Sequence, residues 1–535
     1  MNQNQITIIY DAHVLTQDPS YPEAHAIAFA NGKILALDDA ALALPGERWD
    51  AQGKVLTPGF NDVHSHSVWF GQTLMEVDLS KVVSAQDVYD AVASAEPSGE
   101  WIIASGFVAS SLGGQTLELS ELDRAAAGRP LLIKHNSGHA YTANTRALEL
   151  AGIDPAAPPT VEGGEFVRDS AGRCTGLLDE NAMRPIQQVL LPESQTEISS
   201  ALERAHQVYL ERGITSVTDA GVAGGWIGHS PREIAAYQAA DLQVRTQVMV
   251  TMDVLHELDG HQTDGIGWGI DAGIRSGLGN EWLQIGPTKI FTDGSLLGTT
   301  AAMTENYECC QHSGYFQGDP ELIKRNALMA AGAGWSLALH AIGDAAVDFA
   351  IETLEEAIRV HGAPRIPHRI EHGGVVRAEQ IDRLAKLPVV LVPQPYFIKE
   401  FGDAMAQKLG AKRVELSYPA KRLLDAGMTL PGSSDQPVTR GIPLEVMQAF
   451  AQRTTAAGNE YGPADKITVS EALYAYTAGS AAATGWAGRK GQIKPGQLAD
   501  FVLLGSNPLE TQVEALSEIE ILATVVGGEL RYGSF

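Results

Sequence analysis

The sequence predicts an α/β protein: a (β/α)8 TIM-like barrel with a small composite β-sandwich domain from both termini and an insertion after strand 1. Three observations point there. Through the middle of the chain, short apolar runs alternate with helix-length amphipathic segments, the signature of βα units. Both ends are instead rich in strand and turn signals. The first two apolar runs are also separated by far more chain than a βα connection needs.

The amino-terminal segment opens with the strand pattern Ile6-Thr7-Ile8-Ile9-Tyr10. Two further runs, 26–29 and 34–37, flank Asn31-Gly32, a strong hairpin turn signal. At the far end, Ala499-Asp500-Phe501-Val502-Leu503-Leu504 reads as a strand, and 521–526 and 529–532 flank Gly527-Gly528. The two ends are assigned to one β domain, residues 1–56 plus 488–535. Residues 57–487 form the predicted barrel, with strands at 57–66, 214–219, 244–250, 283–291, 335–340, 367–372, 389–393 and 428–434. Residues 71–196 are an inserted lid or substrate subdomain, with strands of its own near 101–107 and 131–135. Helices fall between: 199–213, stopped by Gly213; 347–362, stopped by Gly362; and one opened by the capping box of Thr468 and Glu471.

Composition narrows the function classes. A chain of 535 residues exceeds one small core, and 44% apolar with 19% charged residues describes an ordinary globular protein. With 38 Lys and Arg against 65 Asp and Glu, the formal charge is −27, which disfavours nucleic acid or an anionic membrane as partner. No apolar run reaches the roughly 18 residues of a membrane span. The first ten residues carry no signal-peptide pattern. Three cysteines, Cys174, Cys309 and Cys310, cannot build a disulfide framework, so a cytoplasmic, reducing location is expected. The expected partner is a small-molecule substrate, and a homodimer is the default assembly.

Chemistry gathers at the strand ends. The first predicted strand finishes on His64-Ser65-His66, and period-two alternation places both imidazoles on one face. Taken alone, that pair fits a metal site or a chance surface pair equally well. His340 ends the fifth predicted strand, His372 the sixth and Asp435 the eighth, all at the end where such barrels carry their sites. Lys289 sits inside the apolar fourth run, where a free ammonium is costly. An ion pair with Asp435 or a chemical change at the amine would each relieve that cost.

Together these motifs resemble the amidohydrolase superfamily of metal-dependent hydrolases, and more narrowly the amidohydrolase-3 type branch that contains N-substituted formamide deformylases. The residues carrying the resemblance are Pro58-Gly59-Phe60 with Asp62-Val63-His64-Ser65-His66, Lys289-Ile290-Phe291-Thr292-Asp293-Gly294-Ser295-Leu296, His340-Ala341-Ile342-Gly343-Asp344, Arg369-Ile370-Glu371-His372, Gly432-Ser433-Ser434-Asp435 and Gly496-Gln497-Leu498-Ala499-Asp500-Phe501-Val502. The resemblance implies one or two divalent ions, zinc by expectation. His64 and His66 would hold one ion and His340 and His372 the other, with a CO2-derived carbamate on Lys289 as bridge. Asp435 would be both metal ligand and catalytic proton shuttle.

The implied activity is hydrolysis of a non-peptide C–N bond in a small amide, N-formyl compound, urea or cyclic amide by activated water. Deamination and ester or carbamate hydrolysis share the same chemistry and stay open, as does a non-catalytic binding barrel. Three further residues are candidate substrate contacts. His139, in Asn136-Ser137-Gly138-His139-Ala140, is also a candidate catalytic oxyanion donor. Asp293 binds substrate or caps the turn that follows it, and Trp69 lines an apolar pocket or packs beneath the insertion.

Overall fold

The computed structural model describes residues 5–95, 100–136, 138–161, 163–225 and 227–535. It divides into two compact units, Met1–His66 with Ala205–Val222 and Tyr237–Phe535, and Ser67–Arg204 with Ala223–Ala236.

In the larger unit, each terminal hairpin turns on two consecutive residues of positive φ. Asn31 and Gly32 lie at 53° and 71°, and Gly527 and Gly528 at 63° and 78°. That backbone matches the twist of the strands it joins, and it is why these dipeptides are Asn-Gly and Gly-Gly. The first hairpin belongs to a four-stranded sheet with Thr7–Tyr10 and Glu47–Asp50. A six-stranded mixed sheet interleaves the two ends of the chain: Phe501–Leu504 pairs antiparallel with Val55–Pro58 on one side and Ile521–Val526 on the other. Ile9, Ile27, Phe29, Leu56, Phe501 and Val525 share one buried cluster, so both ends contribute to a common core.

Two four-stranded parallel sheets carry the rest of this unit. One runs in the order Leu283–Ile285, Arg245–Val250, Ile214–Val222, Phe60–Ser65, and the other Thr288–Phe291, Leu337–Ala341, His368–His372, Val389–Val392. A bridge between Thr251 and Lys289 links the first sheet to the second. All but Leu283–Ile285 and Thr288–Phe291 are buried from end to end, as expected when helices cover parallel strands. Among the helices of this unit is Asp344–His361, which ends at Gly362 with φ of 80°.

Three predicted strands differ from those observed. The run 57–66 is two strands in different sheets, Val55–Pro58 and Phe60–Ser65, split at Gly59. A Cβ on Gly59 would lie 2.1 Å from Thr215 Oγ1, so only glycine lets the chain change sheets there. The run 283–291 breaks at Gly286-Pro287, where proline has no N–H for a ladder. Residues 428–434 form no regular strand; that segment follows the end of Phe60–Ser65 through Val63 N to Gly432 O (3.1 Å), Asp435 N to His64 O (2.8 Å) and a parallel Ser65–Gln436 bridge.

The smaller unit is built on a six-stranded mixed sheet in the order Gly164–Arg168, Cys174–Glu180, Ala140–Ala143, Leu131–His135, Ile102–Phe107, Val77–Asp78. Alternation along Leu131–His135 sends Leu131 and Ile133 into one buried cluster and Leu132 into another, so both faces are covered. Among the described residues, no helix is long and apolar enough to cross a membrane.

Candidate metal centre

The strand Phe60–Ser65 delivers His64 to its buried end, with His66 two residues on. Asp62 fastens this end to the segment around Asp435, its carboxylate accepting the backbone N–H of His64 (3.1 Å) and of Ser434 (3.2 Å). Burial raises the Asp62 pKa to about 6, against the opposing pull of the Ser434 and His64 hydrogen bonds. Gly432 makes room nearby, since a Cβ there would meet the Tyr476 ring at 2.4 Å. His372 and Asp435 have φ of 74° and 60°, a left-handed backbone that costs about 1–3 kcal/mol in residues of this type. Such strain persists where surrounding structure imposes it, and two instances meet at one site here.

His64, His372 and Asp435 are all buried and offer ligand atoms that lie within 4.8 Å of one another. The Asp435 Oδ1 is 3.3 Å from His64 Nε2 and 3.0 Å from His66 Nε2. The rings of His64 and His372 are 4.8 Å apart between centroids, and those of His340 and His372 4.5 Å. His340 Nε2 lies 3.1 Å from the Gly294 carbonyl and 3.6 Å from Asp293 Oδ1. Lys289 is buried, with its amine 5.0 Å from the Phe291 ring centre. The structure thus gathers His64, His66, His372 and Asp435, sets His340 beside His372, and buries Lys289 on the neighbouring strand.

Two groups outside the predicted set orient these imidazoles. Glu371 lies 2.5 Å from His64 Nδ1 and accepts a pair of 2.7 Å hydrogen bonds from Arg369, whose Nη2 also donates to the Val63 carbonyl at 2.8 Å. Gln394 Oε1 accepts from His372 Nδ1 at 2.8 Å. Protonation at Nδ1 leaves each Nε2 with its lone pair free to face a cation. His64 Nε2 is buried and makes no hydrogen bond in the described structure.

Electrostatics follow from that packing. Burial disfavours the Glu371 carboxylate, but Arg369 and His64 outweigh it and pull the pKa below the usual range. Asp435 is likewise held well below its ordinary value, because His64 and His66 overcome the cost of burial. Burial drives His372 down to about 3, keeping it neutral, and Lys289 down to about 8 despite the opposing pull of Glu371 and Asp435. The neutral His372 imidazole, an ionised carboxylate and a buried His64 nitrogen lacking a hydrogen bond form a donor set that suits a divalent cation.

The remaining predicted residues have different surroundings. Asp293 accepts the backbone N–H groups of Ala302 (3.0 Å), Ile342 (3.0 Å) and Gly343 (2.8 Å), pinning the chain beyond His340. Its cap therefore serves residues distant in sequence, while Ser295 N is taken by Thr300 Oγ1. His139 belongs to the smaller unit, where its Nδ1 lies 3.0 Å from Glu180; Ser137 of the same segment lies outside the described residues. Trp69 is half-buried on the helix Ser67–Thr73 of that unit. Glu371 and Asp62 were detectable as carboxylates close to a strand-end histidine in an apolar run. Gln394 had no such signal.

The chain is similar to several known proteins. The Amidohydrolase family profile matches residues 47–532. Protein LONG AFTER FAR-RED 3 of Arabidopsis thaliana is 30% identical over 98% of this chain and 91% of its own length. N-substituted formamide deformylase of Arthrobacter pascens is 28% identical over 99% of each chain. The crystal structure of an uncharacterised metal-dependent hydrolase from Pyrococcus horikoshii OT3 aligns with a TM-score of 0.77 at 25% identity, covering 95% of this chain and 99% of that one. With a matched α/β fold and a family profile covering nearly its full length, this chain belongs to the Amidohydrolase family.

Proposed function

We propose that the protein is a metal-dependent hydrolase of non-peptide C–N bonds in small molecules, with amides and N-formyl amines as the leading substrates. The observation that carries this reading is the buried His64, His372 and Asp435 cluster, with a His64 nitrogen that makes no hydrogen bond among the described residues. The deformylase relative supports the choice of bond. In this reading the two parallel sheets are the halves of a (β/α)8 barrel, residues 1–56 with 488–535 form one β domain, and 71–196 form an inserted lid or substrate subdomain; His139 and Trp69 are candidate substrate contacts. A cytoplasmic location and a homodimer complete the proposal.

His64, His66, His340, His372 and Asp435 would hold one or two divalent ions, zinc first, and a carbamate on Lys289 would add a further ligand. Such an ion, when bound, supplies Lewis acidity, polarising a carbonyl and lowering the pKa of water. The protein's own groups do the rest. Glu371 and Gln394 fix the tautomers of His64 and His372. Asp435, ionised at neutral pH, takes a proton from the attacking water and passes it to the departing amine. The pKa of Lys289, brought down to about 8 by burial, gives a substantial fraction of free amine able to take up CO2.

The test is Asp435→Asn, assayed for amine release on a panel of N-substituted formamides, small amides and ureas. Turnover should fall by about 10²–10⁴-fold with metal content largely retained. Undiminished amine release would remove Asp435 from the chemistry. A metal-loaded wild type that releases no amine from any of these compounds would reject the proposed bond class.

A further inference from the structure

The smaller unit contains a cavity of about 570 Å³ whose lining includes none of the candidate metal ligands. That volume is in the range of small-molecule sites. Trp101, Ile103, Leu132 and Leu191 form an apolar wall. Charged groups make up the rest of the lining: Glu76 pairs with Lys134 at 2.5 Å, and Glu193 lies 3.3 Å from His229 and accepts from Gln72 at 2.5 Å.

Two features give this cavity a preference. The Glu76 side chain is only 8% exposed, and its Oε2 makes no hydrogen bond, although Oε1 is paired with Lys134. Gln72 Oε1 is also buried without a partner, because its amide nitrogen serves Glu193. Both unmet groups are acceptors, and a buried acceptor left unpaired costs about 1–3 kcal/mol. The formal charges agree: Glu76, Glu100, Glu193 and Glu197 face the cavity against Lys134 and Arg204, an excess of negative charge that a protonated His229 reduces without reversing.

We infer that this cavity binds a small organic amine in its ammonium form, with N–H donors on Glu76 and Gln72 and its hydrocarbon against Trp101 and Leu132. Turning Glu76 Oε2 towards the cavity takes a rotation about its terminal torsion, which is broad and soft in glutamate. The bound state then places the Glu76 carboxylate between the ligand's ammonium and that of Lys134, its partner in the structure. The inference goes beyond the proposed hydrolytic activity and does not depend on it.

Three probes of similar shape test it by titration calorimetry on the full chain: isoamylamine, isoamyl alcohol and isovalerate. The amine should bind, with the alcohol and the carboxylate at least about tenfold weaker. Glu76→Gln should weaken amine binding about tenfold or more, while His64→Ala leaves it unchanged. Leu132→Met, a near-isosteric change in the wall, should shift affinity less than threefold and report that the unit is folded. Absence of amine binding at about 10 mM, tighter binding of isovalerate, or loss of binding in His64→Ala would each overturn the inference. A failed hydrolase assay would leave these outcomes unaffected.

Discussion

Replacing Glu371 with glutamine keeps the shape of the side chain and removes its charge, and the structure allows the cost to be worked out. The carboxylate accepts three hydrogen bonds: two of 2.7 Å from Arg369 and one at 2.5 Å from His64 Nδ1. Oε2 takes the bonds from both His64 and Arg369 Nη2, and Oε1 takes the bond from Arg369 Nε, so an amide oxygen can fill one of these positions while its NH2 must fill the other. If the oxygen takes the Oε1 position, the NH2 meets Arg369 Nη2 and His64 Nδ1, and the imidazole nitrogen must then accept. That choice protonates Nε2, the nitrogen left to face a cation. If the oxygen takes the Oε2 position, it keeps His64 and Arg369 Nη2, but the buried Nε–H of Arg369 faces an N–H group. Charge-assisted bonds are worth about 1.5–3 kcal/mol each, and breaking a buried pair costs about 3–5 kcal/mol. Glu371→Gln should therefore lower the unfolding free energy in urea by about 3–5 kcal/mol. It should also weaken zinc binding about 10–100-fold in a chelator competition. A variant within about 0.5 kcal/mol of wild type and with unchanged zinc affinity would refute the idea that Glu371 sets the state of His64.

Other expectations follow from single residues. Lys289→Ala should lower the metal content measured by elemental analysis, and full occupancy would remove Lys289 from the centre. Gly59→Ala should destabilise by about 1–3 kcal/mol in thermal melts, because its Cβ falls within 2.2 Å of Thr215 side-chain atoms; an unchanged Tm would refute the need for glycine at the sheet change. Burial lowers the Lys490 pKa from 10.5 to about 7, so between those values the unfolded chain binds the extra proton and stability rises with pH. Wild type should therefore gain on Lys490→Met between pH 7 and 9, at up to about 1.4 kcal/mol per unit, and parallel pH profiles would contradict it.

Much of this fold was legible because side-chain periodicity and turn chemistry are local. The Asn31-Gly32 and Gly527-Gly528 hairpins, the strands carrying His340 and His372, and the capping box at Thr468 all depend on neighbours in sequence. The failures involve partners far along the chain. Nothing around Gly59 announces Thr215, and residues 428–434 have the apolar content of a strand without its ladder. At the site, residues of suitable chemistry could be listed, but not their pairings. Glu371 lies within a motif that singled out His372, yet its contact is His64, some 300 residues earlier in the chain. Asp293 resembles a local cap and instead holds the backbone at 302, 342 and 343.

The interleaved terminal sheet also sets an order of events during synthesis. Val55–Pro58 pairs with Phe501–Leu504, made about 440 residues later, or about 20–90 s at typical translation rates. For that interval the strand leading into the histidine-bearing segment presents an open, apolar edge, the kind that recruits other chains. A chain terminated before residue 501 would lack the strand that covers this edge. Nonsense mutations late in the gene should consequently yield insoluble protein in place of a shortened one, and chaperones that shield exposed strands should matter throughout the interval before residues 501–504 are made.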